Sequence, residues 1–258
     1  MTFWDHIDEL RKTLVQPLIV LVLAMVAAFV MKEQVFDILL APNSSDFVTY
    51  SIMPDIGMAM AADQTYVTLI STELTAQFVM HLKVSFFIGL MLTLPFFFYK
   101  LFRYASSGLY ENERRYSSRV IFFSFVAFFA GIIVNYFVVF PFSLRFLANY
   151  QVSPEVSNMI TLNSYIGMLI TLSILMGACF ELPVMSWLLS KLGLLKASFL
   201  RKYRRHAIVI ILAIAAIITP TTDIFTLLLV SVPILLLYEM SIIISRLTER
   251  RKADDGTR

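Results

Sequence analysis

Two short segments combine carboxylates with basic residues beside long apolar runs: residues 5–12, DHIDELRK, and residues 107–115, SGLYENERR. A membrane anchor needs only basic residues at such places. The added acids point to binding, and the two segments read as one cytoplasmic site held by the rest of the chain. Glu9 lies in an amphipathic helical pattern, with Phe3, Ile7 and Leu10 on one face at spacings of three to four. The bland alternative for Glu9 is pairing on its own helix surface with Arg11 or Lys12. For Glu111 and Glu113 it is pairing with Arg114 and Arg115, which is worth at most about 1 kcal/mol when exposed.

Glu181 differs, because it falls inside an apolar segment two residues before Pro183. A charge at mid-helix costs roughly 2.5–3.5 kcal/mol on insertion scales, so it should face protein or a water-filled pocket where the proline loosens the helix. The alternative is a glutamate close enough to the cytoplasmic face to snorkel. Glu239 has Arg246 one heptad away and reads as an interfacial structural residue. Lys83 reads as snorkelling outward, and Asp223 as the cap of the last helix. No zinc, nucleotide or hydrolase motif is present, and His6, His81 and His206 are scattered. Neither a metal nor a cofactor is implied.

The elements that must position these residues are membrane spans. The chain has 258 residues, 59% hydrophobic and 15% charged, with a mean hydropathy of +0.78; soluble domains carry about 25% charged residues. Helices of roughly 20 apolar residues cross a bilayer. The expectation is an all-α integral membrane protein with spans near 13–31, 74–102, 118–142, 163–192, 205–220 and 224–245. The first apolar run is too long for a cleavable signal and reads as a retained span, with Pro17 in its first turns, where a missing N–H is tolerated. Residues 32–71 read as an extracytoplasmic loop with helical patches such as 56–62, and residues 246–258 as a cytoplasmic tail. The third span should end near Pro141, and the fourth should break at Glu181-Leu182-Pro183. The last two uncharged runs cover only about 24 Å each, short enough to need local thinning or to form a re-entrant hairpin. With the N-terminus inside, eighteen Lys and Arg fall on the cytoplasmic side and two outside, giving an N-in, C-in topology. A small-solute secondary transporter is the rival reading; no repeat relates residues 1–130 to 131–258, as such proteins tend to show.

DHIDELRKTL resembles the amino-terminal H-x-x-E-L-R-x-x-L signature of the TatC family, and GLYENERR its first cytoplasmic loop, G-L-Y-x-x-E-R-R. YFVVFPF at 136–142, FELPV at 180–184, TPTTD at 219–223 and Tyr238-Glu239 match in order over most of the chain. The resemblance implies six helices in a cupped shape, both ends cytoplasmic and the last two helices short. It implies a non-enzymatic core of the translocase that exports folded proteins across the bacterial inner membrane, driven by the proton-motive force. Implied partners are TatA- and TatB-type single-span subunits, twin-arginine signal peptides and the lipid bilayer in an oligomeric complex, with no nucleic acid.

By residue, Glu9 and Glu113 take the place of the family's arginine-binding glutamates, with Leu10, Arg11, Tyr110, Arg114 and Arg115 beside them. A guanidinium binds a carboxylate through two parallel N–H···O bonds that lysine cannot reproduce, so two arginines call for more than one acid. Glu181 with Pro183 matches the intramembrane pocket and partner contact, and Asp223 the outer hairpin. The chain departs from the family before G-L-Y, where glutamine, tryptophan, phenylalanine and proline become Lys100, Phe102, Tyr104 and Ser107. It departs again at Leu227, where the family has glutamine.

Overall fold

The computed structural model describes residues 3–44, 46–52, 68–106, 111–153, 155, 158–218 and 223–255. In chain order the helices are α1 (Phe3–Val30), α2 (Lys32–Leu40), α3 (Val48–Ile52), α4 (Ala76–Ser106), α5 (Glu111–Val134), α6 (Phe140–Asn149), α7 (Leu162–Phe180), α8 (Leu182–Leu192), α9 (Ala197–Lys202), α10 (Arg204–Ile218) and α11 (Ile224–Asp255). A π turn at Asn135–Val139 joins α5 to α6, and the two-residue strands β1 (Leu69–Ile70) and β2 (Ile160–Thr161) pair. Contacts divide the chain into two units: Met1–Ala41, Ile70–Val126 and Thr161–Ile166 form the first, and Pro42–Leu69, Ala127–Ile160 and Gly167–Arg258 the second. By length and composition four stretches can cross a membrane, Ala76–Leu94, Phe122–Asn149, Leu162–Lys191 and Ile224–Arg250. The bent pair Leu14–Val30 with Lys32–Tyr50 adds a fifth if it counts as one span.

In the first unit α1 corrects one expectation. It starts at Phe3, so the amphipathic segment and the first span are one helix of 28 residues. Pro17 therefore sits in the interior, where it brings no N–H to the Thr13 carbonyl, and not in the first turns. The chain turns by 82° between Leu14–Val30 and Lys32–Tyr50. Met31 keeps helical bonds on both sides of the turn, its N–H donating to Ala27 O (3.0 Å) and its carbonyl accepting from Val35 (3.1 Å). The start of the expected loop is thus helical; the pattern at 56–62 lies outside the described residues.

α4 packs along α1 in antiparallel register. Phe29 stacks on His81 with ring centroids 3.9 Å apart, and His81 Nε2 lies 3.0 Å from Phe29 O. Leu21 and Met25 run against Gly89, where an added Cβ would stand 2.9 Å from Met25 N. Small residues let membrane helices approach this closely. Tyr165, 1% exposed, donates its hydroxyl to Leu39 O at 2.9 Å.

In the second unit Pro141 does not end its span, because α6 carries the helix on to Asn149. A π turn precedes it, and Pro141 brings no N–H to the Phe137 carbonyl four residues back. Thr49 of α3 donates its hydroxyl to that carbonyl instead. Tyr50 next to it donates towards Pro42 O (3.0 Å) and Pro141 O (3.3 Å), with the Arg145 guanidinium 4.2 Å above its ring.

The last helix is not short. α11 runs for 32 residues, and α10 alone is short, at 15 residues. Ile224, Leu228, Val232, Leu236, Met240, Ile243 and Leu247 form an exposed apolar stripe along α11. Its other face is buried and packs on α8, α9 and α10, with Ser245 accepting from Ser190 at 2.8 Å. The expected tail is helical as far as Asp255; residues 256–258 lie outside the described residues.

Candidate functional site

The two charged segments belong to the first unit. Along α1 and α4 the register pairs Phe29 with His81, Met25 with Gly89, and Leu14 with Phe97. Continued to the start of α1, it brings the backbone of residue 9 level with the last turns of α4. After four further residues α5 begins at Glu111, so residues 111–115 lie in the first turns of a helix and not in a loop. Acids suit that position, since a helix N-terminus carries partial positive charge. Arg11 is exposed. Tyr110 lies outside the described residues, as do the side chains of Glu9, Leu10, Glu113, Arg114 and Arg115.

Glu181 occupies the expected break. Its N–H donates to Ala178 O at 3.2 Å, a tighter bond than the helical one, and its carbonyl restarts the ladder by accepting from Met185 at 2.9 Å. Pro183, in the first turn of α8, brings no N–H to the Cys179 carbonyl. Glu181 is half-buried, and its Oε1 is shut off from solvent. A carboxylate is thereby held at a helix break within an apolar segment, away from the termini.

Asp223 caps α11 as expected, Oδ1 accepting from the Thr226 N–H at 2.6 Å. Glu239 pairs with Arg204 at the start of α10 and not with Arg246, which corrects the heptad reading. Sequence reasoning also missed Asn135, which is fully buried and donates from Nδ2 to Ser173 Oγ at 2.9 Å. The signal available was one amide in a long apolar run. Glu249 was missed as well; its Oε1 accepts the first N–H of α9, from Ala197, at 2.8 Å.

The family description "Sec-independent protein translocase protein (TatC)" matches residues 5–233. A Sec-independent protein translocase protein TatC from Blattabacterium sp. subsp. Periplaneta americana is 32% identical, covering 98% of this chain and 97% of its own length. TatCy of Bacillus subtilis (strain 168) is 32% identical over 97% of this chain and 91% of its own. A crystal structure titled Twin Arginine Translocase Receptor-TatC superposes with a TM-score of 0.73 at 29% identity, covering 94% of this chain and 99% of that one.

Proposed function

The chain belongs to the TatC family of Sec-independent protein translocase proteins, and from that premise we propose that it is the receptor for twin-arginine signal peptides in the bacterial inner membrane. Glu9 and Glu113 bind the paired guanidinium groups, each offering two oxygens in the geometry that two parallel N–H···O bonds require. Leu10, Arg11, Tyr110, Arg114 and Arg115 frame them. The observation that carries this reading is the antiparallel packing of α1 on α4, which puts residue 9 and the start of α5 at one end of one unit.

The remaining features fit the same reading. α10, at about 22 Å, counts as a sixth, thin span, and the excess of Lys and Arg in the connecting segments places both termini in the cytoplasm. Glu181 with Pro183 is the contact point for single-span TatA- and TatB-type subunits, and Asp223 stands at the outer hairpin. The complex moves folded cargo at the expense of the proton-motive force.

Binding of a twin-arginine signal peptide to the full chain, against Glu9→Gln and Glu113→Gln, tests the site. Each change should weaken binding about tenfold or more, since a charge-assisted hydrogen bond contributes roughly 1.5–3 kcal/mol. Equal binding by both variants, or equal binding of a twin-lysine peptide by the wild type, overturns the assignment.

A further inference from the structure

A pocket of about 320 Å³ opens at the first turns of α4, at the end opposite to the one level with residue 9. Its walls come from the segment before α4, the first turns of α4 and the start of α7, all within the first unit. It holds one carboxylate and one ammonium, those of Glu73 and Lys83. Both residues are exposed, and neither side chain is in an ion pair or hydrogen bond with a described residue. Thr72 and Asn163 add a hydroxyl and an amide that no described residue engages. The Ser71 and Thr161 hydroxyls are already in use, on Glu73 O and on the Ser164 N–H.

Lys83 calls for a partner. It stands seven residues into Ala76–Leu94, a stretch able to cross a membrane, and so about 10 Å below its start. Val79 and Phe86, one turn to either side, are 39% and 48% exposed, so Lys83 belongs to an apolar face open to hydrocarbon. A lone charge on such a face is unfavourable. Side chains on a helix lean towards its N-terminus, which carries the Lys83 ammonium back into the pocket, on the hydrocarbon side of Glu73. A ligand that fits has an anion at the deeper position, a cation nearer water, and an apolar body to lie along Phe86. A phospholipid whose headgroup ends in an amine has that order, since its phosphate joins the glycerol and its ammonium lies beyond. We propose that this pocket binds phosphatidylethanolamine, with the phosphate on Lys83 Nζ and the ammonium on the Glu73 carboxylate. Phosphatidylglycerol offers Glu73 no cation, and the trimethylated amine of phosphatidylcholine has no N–H to donate to it.

Native mass spectrometry of the delipidated full chain in detergent, titrated with phosphatidylethanolamine or with phosphatidylcholine of the same acyl chains, tests this. The two lipids carry the same net charge, so cations elsewhere on the chain favour neither. Phosphatidylethanolamine should be retained about tenfold more tightly or better, the effect of one hydrogen bond between charged groups. Glu73→Gln should remove most of that preference and leave phosphatidylcholine where it was. Lys83→Gln should weaken both lipids by about fivefold without changing their ratio. Glu73→Lys should turn the selectivity, with phosphatidylglycerol now retained above phosphatidylethanolamine. Equal retention of the two zwitterionic lipids by the wild type overturns the proposal, as does an undiminished preference in Glu73→Gln. Displacement of the lipid by an equal concentration of glycerophosphoethanolamine, which lacks the chains, also overturns it. So does a fall in the unfolding midpoint of both Glu73→Gln and Lys83→Gln in lipid-free detergent, which would mean that the two side chains pair with each other.

Discussion

Gly131→Ala is the sharpest test of how the second unit is packed. A Cβ at Gly131 would stand 2.5 Å from the Met176 carbonyl oxygen, 2.8 Å from its carbon and 2.9 Å from Gly177 Cα. Ordinary contact lies near 3.5 Å, and all three obstacles are backbone, so no rotamer change relieves them. α5 and α7 must separate by about 1 Å, and a core forced open by one extra carbon loses about 1–3 kcal/mol. The change to alanine returns about 0.5–1 kcal/mol by removing a helical glycine. The net loss is about 0.5–2 kcal/mol, or a fall of roughly 1–8 °C in the unfolding midpoint for a chain of this size. Gly167 supplies the control, because nothing lies within 4 Å of the Cβ it would gain; Gly167→Ala should hold or raise the midpoint by about 1–4 °C. Cys179, the one cysteine, is half-buried and reports unfolding through a thiol-reactive dye. A Gly131→Ala midpoint at or above wild type, or a Gly167→Ala midpoint below that of Gly131→Ala, refutes the reasoning.

Three further outcomes follow from the contacts. Thr49→Val removes the hydroxyl that serves the Phe137 carbonyl beside Pro141 and should lower stability by about 1–3 kcal/mol, whereas Thr49→Ser should retain most of it; equal midpoints for the two variants would break the argument. Asp223→Ala should cost about 1 kcal/mol through loss of the α11 cap, and Asp223→Asn close to nothing, read from the same dye-monitored midpoint. For Arg204 and Glu239, with 53% and 38% of their side chains exposed, a double-mutant cycle in detergent should give a coupling of about 0.2–1 kcal/mol; a value several times larger would place the pair in a far drier setting.

Long apolar runs were legible in the sequence. Runs near 74–102, 118–142 and 163–192 became α4, α5 with α6, and α7 with α8. Hydrophobic length is a one-dimensional property that survives folding. The cap at Asp223 was legible for a similar reason, since donor and acceptor sit three residues apart. Glu181-Leu182-Pro183 read correctly because a proline two residues after a charge offers no compensating partner nearby in sequence. Pro17 and Pro141 read wrongly. At Pro141 the freed Phe137 carbonyl is served by Thr49, 88 residues from Phe137, and no local pattern announces it. Asn135 with Ser173, 38 residues apart, was hidden in the same way. For the candidate site, the charge pattern and the resemblance already joined residues 9 and 113 in the sequence, and the packing of α1 on α4 adds that residue 9 runs level with the last turns of α4.

At α11 the helix covers the span expected near 224–245, while the short last helix that the resemblance implies does not form: the uncharged run stops at Tyr238, yet a helix stops where its backbone bonding stops, here at Asp255. Beyond Glu239, Ser241 and Thr248 return their hydroxyls to carbonyls of the preceding turn at 2.8 Å each, which keeps them satisfied inside a packed face. The exposed stripe from Ile224 to Leu247 measures roughly 35 Å along the axis, enough for a hydrocarbon layer of about 30 Å. Glu239 lies about 22 Å along from Ile224, roughly two-thirds of the way along the stripe. Arg204, the first residue of the short α10, pairs with it there, and both side chains stay partly exposed.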